Sequence, residues 1–295
     1  MSDKTLIVLA GPTASGKTAT AIEMAKRLGT EIVSADSRQF YREMTIGTAV
    51  PTPSELAQAK HHLIHNKSIF DNYNVADYEK DALSCLNHIF KSREHAILTG
   101  GSGLFIDAVC DGIDEMPDID DETRRQVEEM FLQKGIKALQ DEVRLTDPEY
   151  FAIVDKDNPR RLQRAIEVYR QTGRTFTSYR TGNKVVRDFK VIKAALLWER
   201  KALCERIDRR VDAMVAEGLI DEAAELHKIE PKPNSLNTVG YKELFGYFDK
   251  KCTLQEAITA IKTHTRQYAK RQMTWLRKNN DYQWLEIGDL NKFLN

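Results

Sequence analysis

The sequence has no long apolar run, no cysteine pair and no net charge. The missing apolar run excludes a membrane-spanning helix, which needs about 20 consecutive, mostly apolar residues. The four cysteines, Cys85, Cys110, Cys204 and Cys252, are scattered and form no C-x-x-C pair. That spacing argues against a disulfide framework and a zinc site and leaves reduced thiols. The first residues, Met1-Ser2-Asp3-Lys4, run into an apolar stretch at once. They leave no room for a secretory signal, so a cytoplasmic location is expected. There is no internal repeat and no low-complexity tract. What remains is 295 residues, 41% hydrophobic and 30% charged. That composition suits a globular protein built as one large domain or as a core with an insertion.

The zero net charge hides an uneven distribution. Residues 156–190 carry ten Lys/Arg against three Asp/Glu, and residues 261–280 carry six Lys/Arg and no acid. Residues 111–129 hold nine acids and two arginines. A basic segment can steer a polyanion even inside a neutral chain, although a solvated helix face gives the same pattern.

The chain is organised around Gly11-Pro12-Thr13-Ala14-Ser15-Gly16-Lys17-Thr18, which fits G-x-x-x-x-G-K-[ST]. Residues 5–10 read as a buried strand and residues 17–28 as a helix stopped at Gly29. Strand, loop and helix in that order confirm a phosphate-binding loop. The glycines let successive backbone N–H groups face one anion, and the helix N-terminus adds partial positive charge. Lys17 is expected on the terminal phosphate oxygens and the Thr18 hydroxyl on Mg²⁺. The motif indicates a diphosphate or triphosphate without naming the compound.

Residues 31–36 read as a second strand ending in Asp36, followed by Ser37, Arg38 and Gln39. His61 and His65 have the i,i+4 spacing of a helical zinc pair. They lack the Glu of H-E-x-x-H and a third ligand, which favours surface or substrate contact. A helix is expected from Asp77 to Arg93. Residues 95–99 read as a third strand, leading into Gly100-Gly101-Ser102-Gly103 and a helix. In open α/β sheets ligands sit outside the carboxyl ends of the strands, which places Asp36 and Ser102 near Lys17. From about Met116 to Arg187 helical patterns replace strands. Asn158 and Pro159 start one helix, as cap and first-turn residue, and Arg160, Arg161 and Arg164 lie in its first turns. Residues 190–198 look like a strand returning to the sheet. Helices follow from Lys201 to Glu217, from Thr238, and from Leu254 to Lys278. Arg206, Arg209 and Arg210 all lie on the first of these. The expected fold is α/β: a phosphate-loop core with a parallel sheet flanked by helices, at 1–115 and 191–295, plus an all-helical insertion at 116–190.

The residues alone leave several chemistries open. A GTPase carries N-K-x-D, but Asn66-Lys67 and Asn183-Lys184 both lack the Asp. A motor-type ATPase carries an apolar strand ending in an acid, where this chain has Gly100-Gly101-Ser102. A small-molecule kinase using Asp36 as base remains possible, as does an RNA-binding switch protein regulated by a nucleotide.

Taken together, the motifs resemble the tRNA dimethylallyltransferases, also called tRNA isopentenyltransferases. The resemblance runs from about residue 5 to residue 277. It rests on the phosphate loop, on Asp36-Ser37-Arg38-Gln39-Phe40-Tyr41, His61-His62-Leu63-Ile64 and Gly100-Gly101-Ser102-Gly103-Leu104-Phe105. It continues through Asn158 to Val168, Gly240-Tyr241-Lys242-Glu243, and Thr265 to Trp275. Only the loop is strong alone, but seven motifs in order are highly specific. The chain is similar to the bacterial type, without the C-terminal zinc finger of eukaryotic members. The resemblance implies transfer of a dimethylallyl group from dimethylallyl diphosphate to N6 of the adenine just 3′ of the anticodon, in tRNAs reading codons that begin with U. It implies Mg²⁺ as cofactor, tRNA held by its anticodon arm, no membrane partner and a monomer. The loop Gly11 to Thr18 and Arg210, with Arg206 and Arg209 as neighbours, would hold the diphosphate. Asp36 would be the general base, with Ser102 in place of the usual Thr. The tRNA would meet Asp36, Ser37, Arg38, Gln39, Ser102, Arg124, Arg160, Arg161, Leu162, Gln163 and Arg164. Phe105 replaces the usual Tyr, and His65 stands where Asp is common.

Overall fold

A computed structural model describes residues 4–286, 289 and 293. The chain divides into two compact units, one of Met1–Asp111 with Val186–Asn295 and one of Gly112–Val185. The first unit holds strands β1 (Thr5–Ala10), β2 (Ile32–Ser34), β3 (His61–His62), β4 (His95–Gly100), β5 (Lys190–Leu196) and β6 (Tyr282–Leu285). They form one sheet in the order β3-β2-β4-β1-β5-β6, and every pairing is parallel. Its helices are α1 (Lys17–Leu28), α2 (Pro53–Leu56), α3 (Val75–Ile89) and α4 (Gly103–Asp111), then α9 (Arg200–Ala216), α10 (Leu219–His227), α11 (Tyr241–Phe248) and α12 (Leu254–Lys278). The second unit holds α5 (Asp121–Thr146), α6 (Pro148–Ile153), α7 (Pro159–Thr172) and α8 (Phe176–Tyr179).

The central strand β1 shows why the sheet is covered twice. Leu6, Val8 and Ala10 pack into one apolar cluster with residues of α3, α4, α10, α11 and α12. Ile7 and Leu9 point the other way, into a second cluster with Ala21, Ile22, Met24 and Ala25 of α1. A strand with both faces buried must be apolar throughout, and Leu6-Ile7-Val8-Leu9 is. Each fully buried Leu, Ile or Val contributes roughly 1.5–3 kcal/mol.

Register puts the loops side by side. Ala10 pairs with Gly100 and with Ala195, and Ser34 pairs with Thr99. The carboxyl ends of β1, β2, β4 and β5 therefore open on one edge of the sheet. Gly100 must be glycine there, because a Cβ would lie 2.1 Å from the Ala35 carbonyl oxygen.

The helical unit has its own core, including Val127, Leu139, Val143, Tyr150, Leu162 and Ile166. Asp147 is buried and accepts from the amides of Tyr150 and Thr177 and from the Thr177 hydroxyl. The Arg170 guanidinium grips Glu142 with two bonds of 2.7 Å, tying α7 to α5. This unit begins at Gly112 and ends at Val185, rather than at 116 and 190.

Candidate active site

The loop from Gly11 to Gly16 leaves β1 and turns tightly into α1. Gly16 has φ 87° and Ala14 φ 62°, the left-handed region that an alanine adopts only under constraint. Three side chains supply that constraint from outside. Trp198 Nε1 donates to the Ser15 carbonyl at 2.9 Å and Arg206 Nε to the Ala14 carbonyl at 2.9 Å. The Arg206 guanidinium also lies over the Trp198 ring, 4.6 Å from its centroid. Gln272 Oε1 accepts from the Thr13 amide at 2.9 Å. The Ser15 hydroxyl is buried and has no hydrogen-bond partner among the described residues. A buried hydroxyl inside a phosphate loop is chemically suited to an anion's oxygen.

Lys17 folds back on the loop and donates to the carbonyls of Gly11 at 2.9 Å and Pro12 at 2.7 Å. Burial and the nearby Arg210 charge push its pKa from 10.5 down to about 7, against the opposing pull of Asp36. Arg210 is itself shifted down by burial and supported by Asp36 and Glu55. Arg206 and Arg210 stand one turn apart on α9, beside the buried stripe of Leu203, Ile207 and Val211. Both line a cleft of about 920 Å³ together with Lys17, Thr18, Asp36, Ser37 and Arg38, whereas Arg209 is exposed and does not. Of the three arginines on this helix, Arg206 braces the loop and Arg210 faces the cleft beside Asp36.

Asp36 Oδ1 accepts from the amides of Arg38 at 2.9 Å and Gln39 at 3.3 Å. Both bonds fall on one oxygen, so the turn orients the carboxylate without engaging its other oxygen. The Gln39 side chain is committed within the protein. Its Nε2 donates to the carbonyls of Thr48 and Ala49, and its Oε1 accepts from Ser34. Gln39, expected to meet tRNA, lines the cleft while its side-chain amide ties down the next loop. Ser102 donates its amide to the Ala35 carbonyl at 3.2 Å, which sets it beside the residue preceding Asp36.

The loop from Thr45 to Val50 forms another wall of the cleft. Sequence reasoning missed what holds it. The Glu222 carboxylate accepts from the amides of Thr45, Ile46 and Gly47 and from the Tyr241 hydroxyl. The signal was the Asp/Glu-rich first turn after Gly218, which an unrecognised helix, α10, concealed.

The histidines do not form a helical metal pair. His61 and His62 form β3, and His65 sits in a loop at φ 50°. His62 Nε2 meets Glu31 at 2.6 Å, and His61 Nδ1 faces the Ala59 carbonyl. Among the described residues no group of three or more His, Cys, Asp or Glu could hold a metal by itself.

In the helical unit, Asn158 caps α7 through the Arg161 amide. Arg124, Arg160 and Arg161 are exposed. Arg164 is half-buried, donates to the Pro117 carbonyl at 3.3 Å and lies 3.8 Å from Glu167. Leu162 is 0% exposed and Gln163 4%, the latter donating to Glu128 at 2.6 Å. Leu162 and Gln163, also expected at the tRNA, anchor the helix that carries the arginines.

A family profile described as IPP transferase matches residues 39–279. The tRNA dimethylallyltransferase of Christiangramia forsetii is 47% identical, over 97% of this chain and 95% of its own. The tRNA dimethylallyltransferase 1 of Bacteroides thetaiotaomicron is 45% identical, over 95% of this chain and 91% of its own. The crystal structure of the full-length tRNA isopentenylpyrophosphate transferase from Bacillus halodurans superposes with a TM-score of 0.70 at 37% identity, covering 96% of this chain and 90% of that one. A eukaryotic dimethylallyltransferase acting on tRNA shares the fold at a TM-score of 0.78 and 24% identity, covering 98% of this chain and 75% of that one.

Proposed function

The chain belongs to the IPP transferase family, and on that premise we propose how its cleft carries out the transfer. The protein is a tRNA dimethylallyltransferase. Dimethylallyl diphosphate lies with its diphosphate in the Gly11–Thr18 loop and its allylic carbon toward Asp36. The acceptor is N6 of the adenine 3′ of the anticodon. Such a base must leave its stack to enter a pocket, as bases do for enzymes that modify them. The N6 lone pair forms the new C–N bond, the C–O bond to diphosphate breaks, and the N6 proton passes to Asp36. Charge grows on the departing diphosphate, where Lys17, Arg210 and the loop amides stabilise it. One observation carries this reading: Lys17, Arg210 and the Asp36 carboxylate line one cleft together with residues 13–18 of the phosphate loop.

The donor set fits Mg²⁺, which keeps waters and binds through one or two protein oxygens plus phosphate oxygens. The Thr18 hydroxyl would hold it, with Asp36 in the same cleft. When bound, it would supply further charge neutralisation to the leaving group. A tRNA acceptor supports a cytoplasmic location.

A ligand panel separates this reading from a kinase or a nucleotide switch. At ~100 times its Kd, the true ligand adds about 2.7 kcal/mol of stability. Dimethylallyl diphosphate with Mg²⁺ should raise the melting temperature, and ATP and GTP should not. The reverse ranking would overturn the assignment.

The pKa of Lys17 makes a second prediction. The free protein loses the Lys17 proton at about 7, whereas the unfolded chain keeps it to 10.5. The unfolded state thus binds more protons in that window, and this group's contribution to stability rises with pH from 7 to 10.5. A bound diphosphate restores the charge, so binding near pH 8 should take up a proton. Calorimetry in buffers of different ionisation enthalpy reads that uptake, and Lys17→Ala should abolish it.

For tRNA, the exposed Arg160 and Arg161 are the phosphate contacts. Removing each should flatten the slope of log affinity against log salt by roughly 0.7–0.9. Arg164→Ala should also lower the melting temperature, because its guanidinium is bonded inside the unit. An unchanged salt slope in the Arg160/Arg161 double variant would remove these arginines from the interface.

A further inference from the structure

We infer that Gln272 is a positioning residue for the transfer, whose side-chain amide locks the phosphate loop to the Gly100–Gly103 loop. The inference rests on the functional reading above and extends it to a residue on α12. Gln272 is 7% exposed. Its Oε1 accepts from the Thr13 amide at 2.9 Å, and its Nε2 donates to the Gly101 carbonyl at 2.9 Å. A backbone N–H only donates and a carbonyl only accepts, so each end of the amide has one possible partner. Those partners stand 259 and 171 positions away in sequence.

The contact sits where a small error has a large effect. One loop cradles the diphosphate and the other leads directly to Ser102, whose amide is bonded beside Asp36. Gln272 therefore fixes the leaving-group cradle relative to the proton acceptor. Its own backbone is held firmly, since Ala269, Met273 and Leu276 of α12 are buried around it. One turn on, Trp275 braces the other end of the same loop: a Cβ at Gly103 would lie 2.3 Å from its ring, and Trp275 Nε1 donates to Asp107 at 3.2 Å. Gly101 itself must lack a side chain, because a Cβ there would come within 2.1 Å of Gln272 Nε2. The nearest atom outside Gln272, the Gly11 carbonyl oxygen, would be at an ordinary 3.6 Å.

That geometry dictates a double-mutant test. Gln272→Ala removes the lock, and Gly101→Ala displaces it by pushing the amide aside. Each single variant should lower kcat for tRNA prenylation by about 10²-fold, the scale of a 1 Å misplacement, with KM for tRNA unchanged. Each should also weaken binding of inorganic diphosphate with Mg²⁺ by about tenfold, the loss of a hydrogen bond that orders the loop. The double variant should be no worse than either single one, because once the Gln272 amide is gone the alanine at 101 makes only an ordinary contact with the Gly11 carbonyl oxygen. Gln272→Met, of similar length but without polar ends, guards against collapse of the site and should match Gln272→Ala in kcat while melting close to wild type. Losses that multiply in the double variant, or an unchanged kcat in Gln272→Met, overturn the inference. Should the wild-type protein transfer no prenyl group, the functional reading falls, and the diphosphate cycle still decides the role of Gln272.

Discussion

Lys17→Ala should lower prenyl transfer by at least ~10²–10³-fold, the effect of deleting one preorganised donor from a developing anion. tRNA affinity should stay where it was. The expectation follows from where the ammonium sits. Without ligand it is bonded to the carbonyls of Gly11 and Pro12, at the floor of the cleft. A diphosphate entering the loop competes for that ammonium and recharges it. Arg210 also interacts with Asp36 in the cleft, but it is fixed on α9 and does not belong to the loop. The exposed arginines 124, 160 and 161 lie in the other unit, so RNA affinity should not depend on Lys17. Single-turnover prenylation with filter binding of tRNA checks both halves. Full activity in Lys17→Ala would remove the loop from the chemistry.

Asp36→Asn should slow the chemical step by roughly 10²–10⁴-fold, the usual contribution of a general base. The comparison with Asp36→Ala makes the result specific. Asn keeps an Oδ1 that can accept from the amides of Arg38 and Gln39, so the turn survives and the melting temperature should hold. Ala loses both bonds, so it should lose stability as well as rate. Affinity for the diphosphate should hold or improve in both, since one negative charge near it is gone. A tenfold loss or less in Asp36→Asn, with a parallel fall in melting temperature, would make Asp36 a turn-former and leave the base unidentified.

The parts of this site legible in the sequence are those written locally. The phosphate loop lies between a run of apolar residues and a periodic helix, and α12 has a capping box at Thr253 and Glu256 and basic residues in its last turn. The second glycine loop is legible because Gly100 and Gly101 follow a strand. Other elements are shorter than any periodicity. β3 is two histidines and β6 is four residues, and only pairing with neighbours makes them strands. The i,i+4 spacing of His61 and His65 looked helical because spacing says nothing of the backbone between them. Gly218, at φ 105°, reads as a helix stop and is in fact the joint between α9 and α10. Arg209 and Arg210 are indistinguishable in a list of basic residues; the buried stripe of α9 separates them by turning Arg210 inward. Gln272 lies inside the Thr265–Trp275 motif, but its role is not written there, since it depends on two backbone atoms far away in the chain.

The central claim is most directly tested by digesting unmodified tRNA to nucleosides after incubation with the protein, dimethylallyl diphosphate and Mg²⁺, and weighing the products. The account predicts one adenosine per susceptible tRNA heavier by a single five-carbon unit, at the position 3′ of the anticodon, with diphosphate released in equal amount. A tRNA whose adenosines keep their mass while the diphosphate substrate is intact, or a phosphorylated product made from ATP instead, would contradict it.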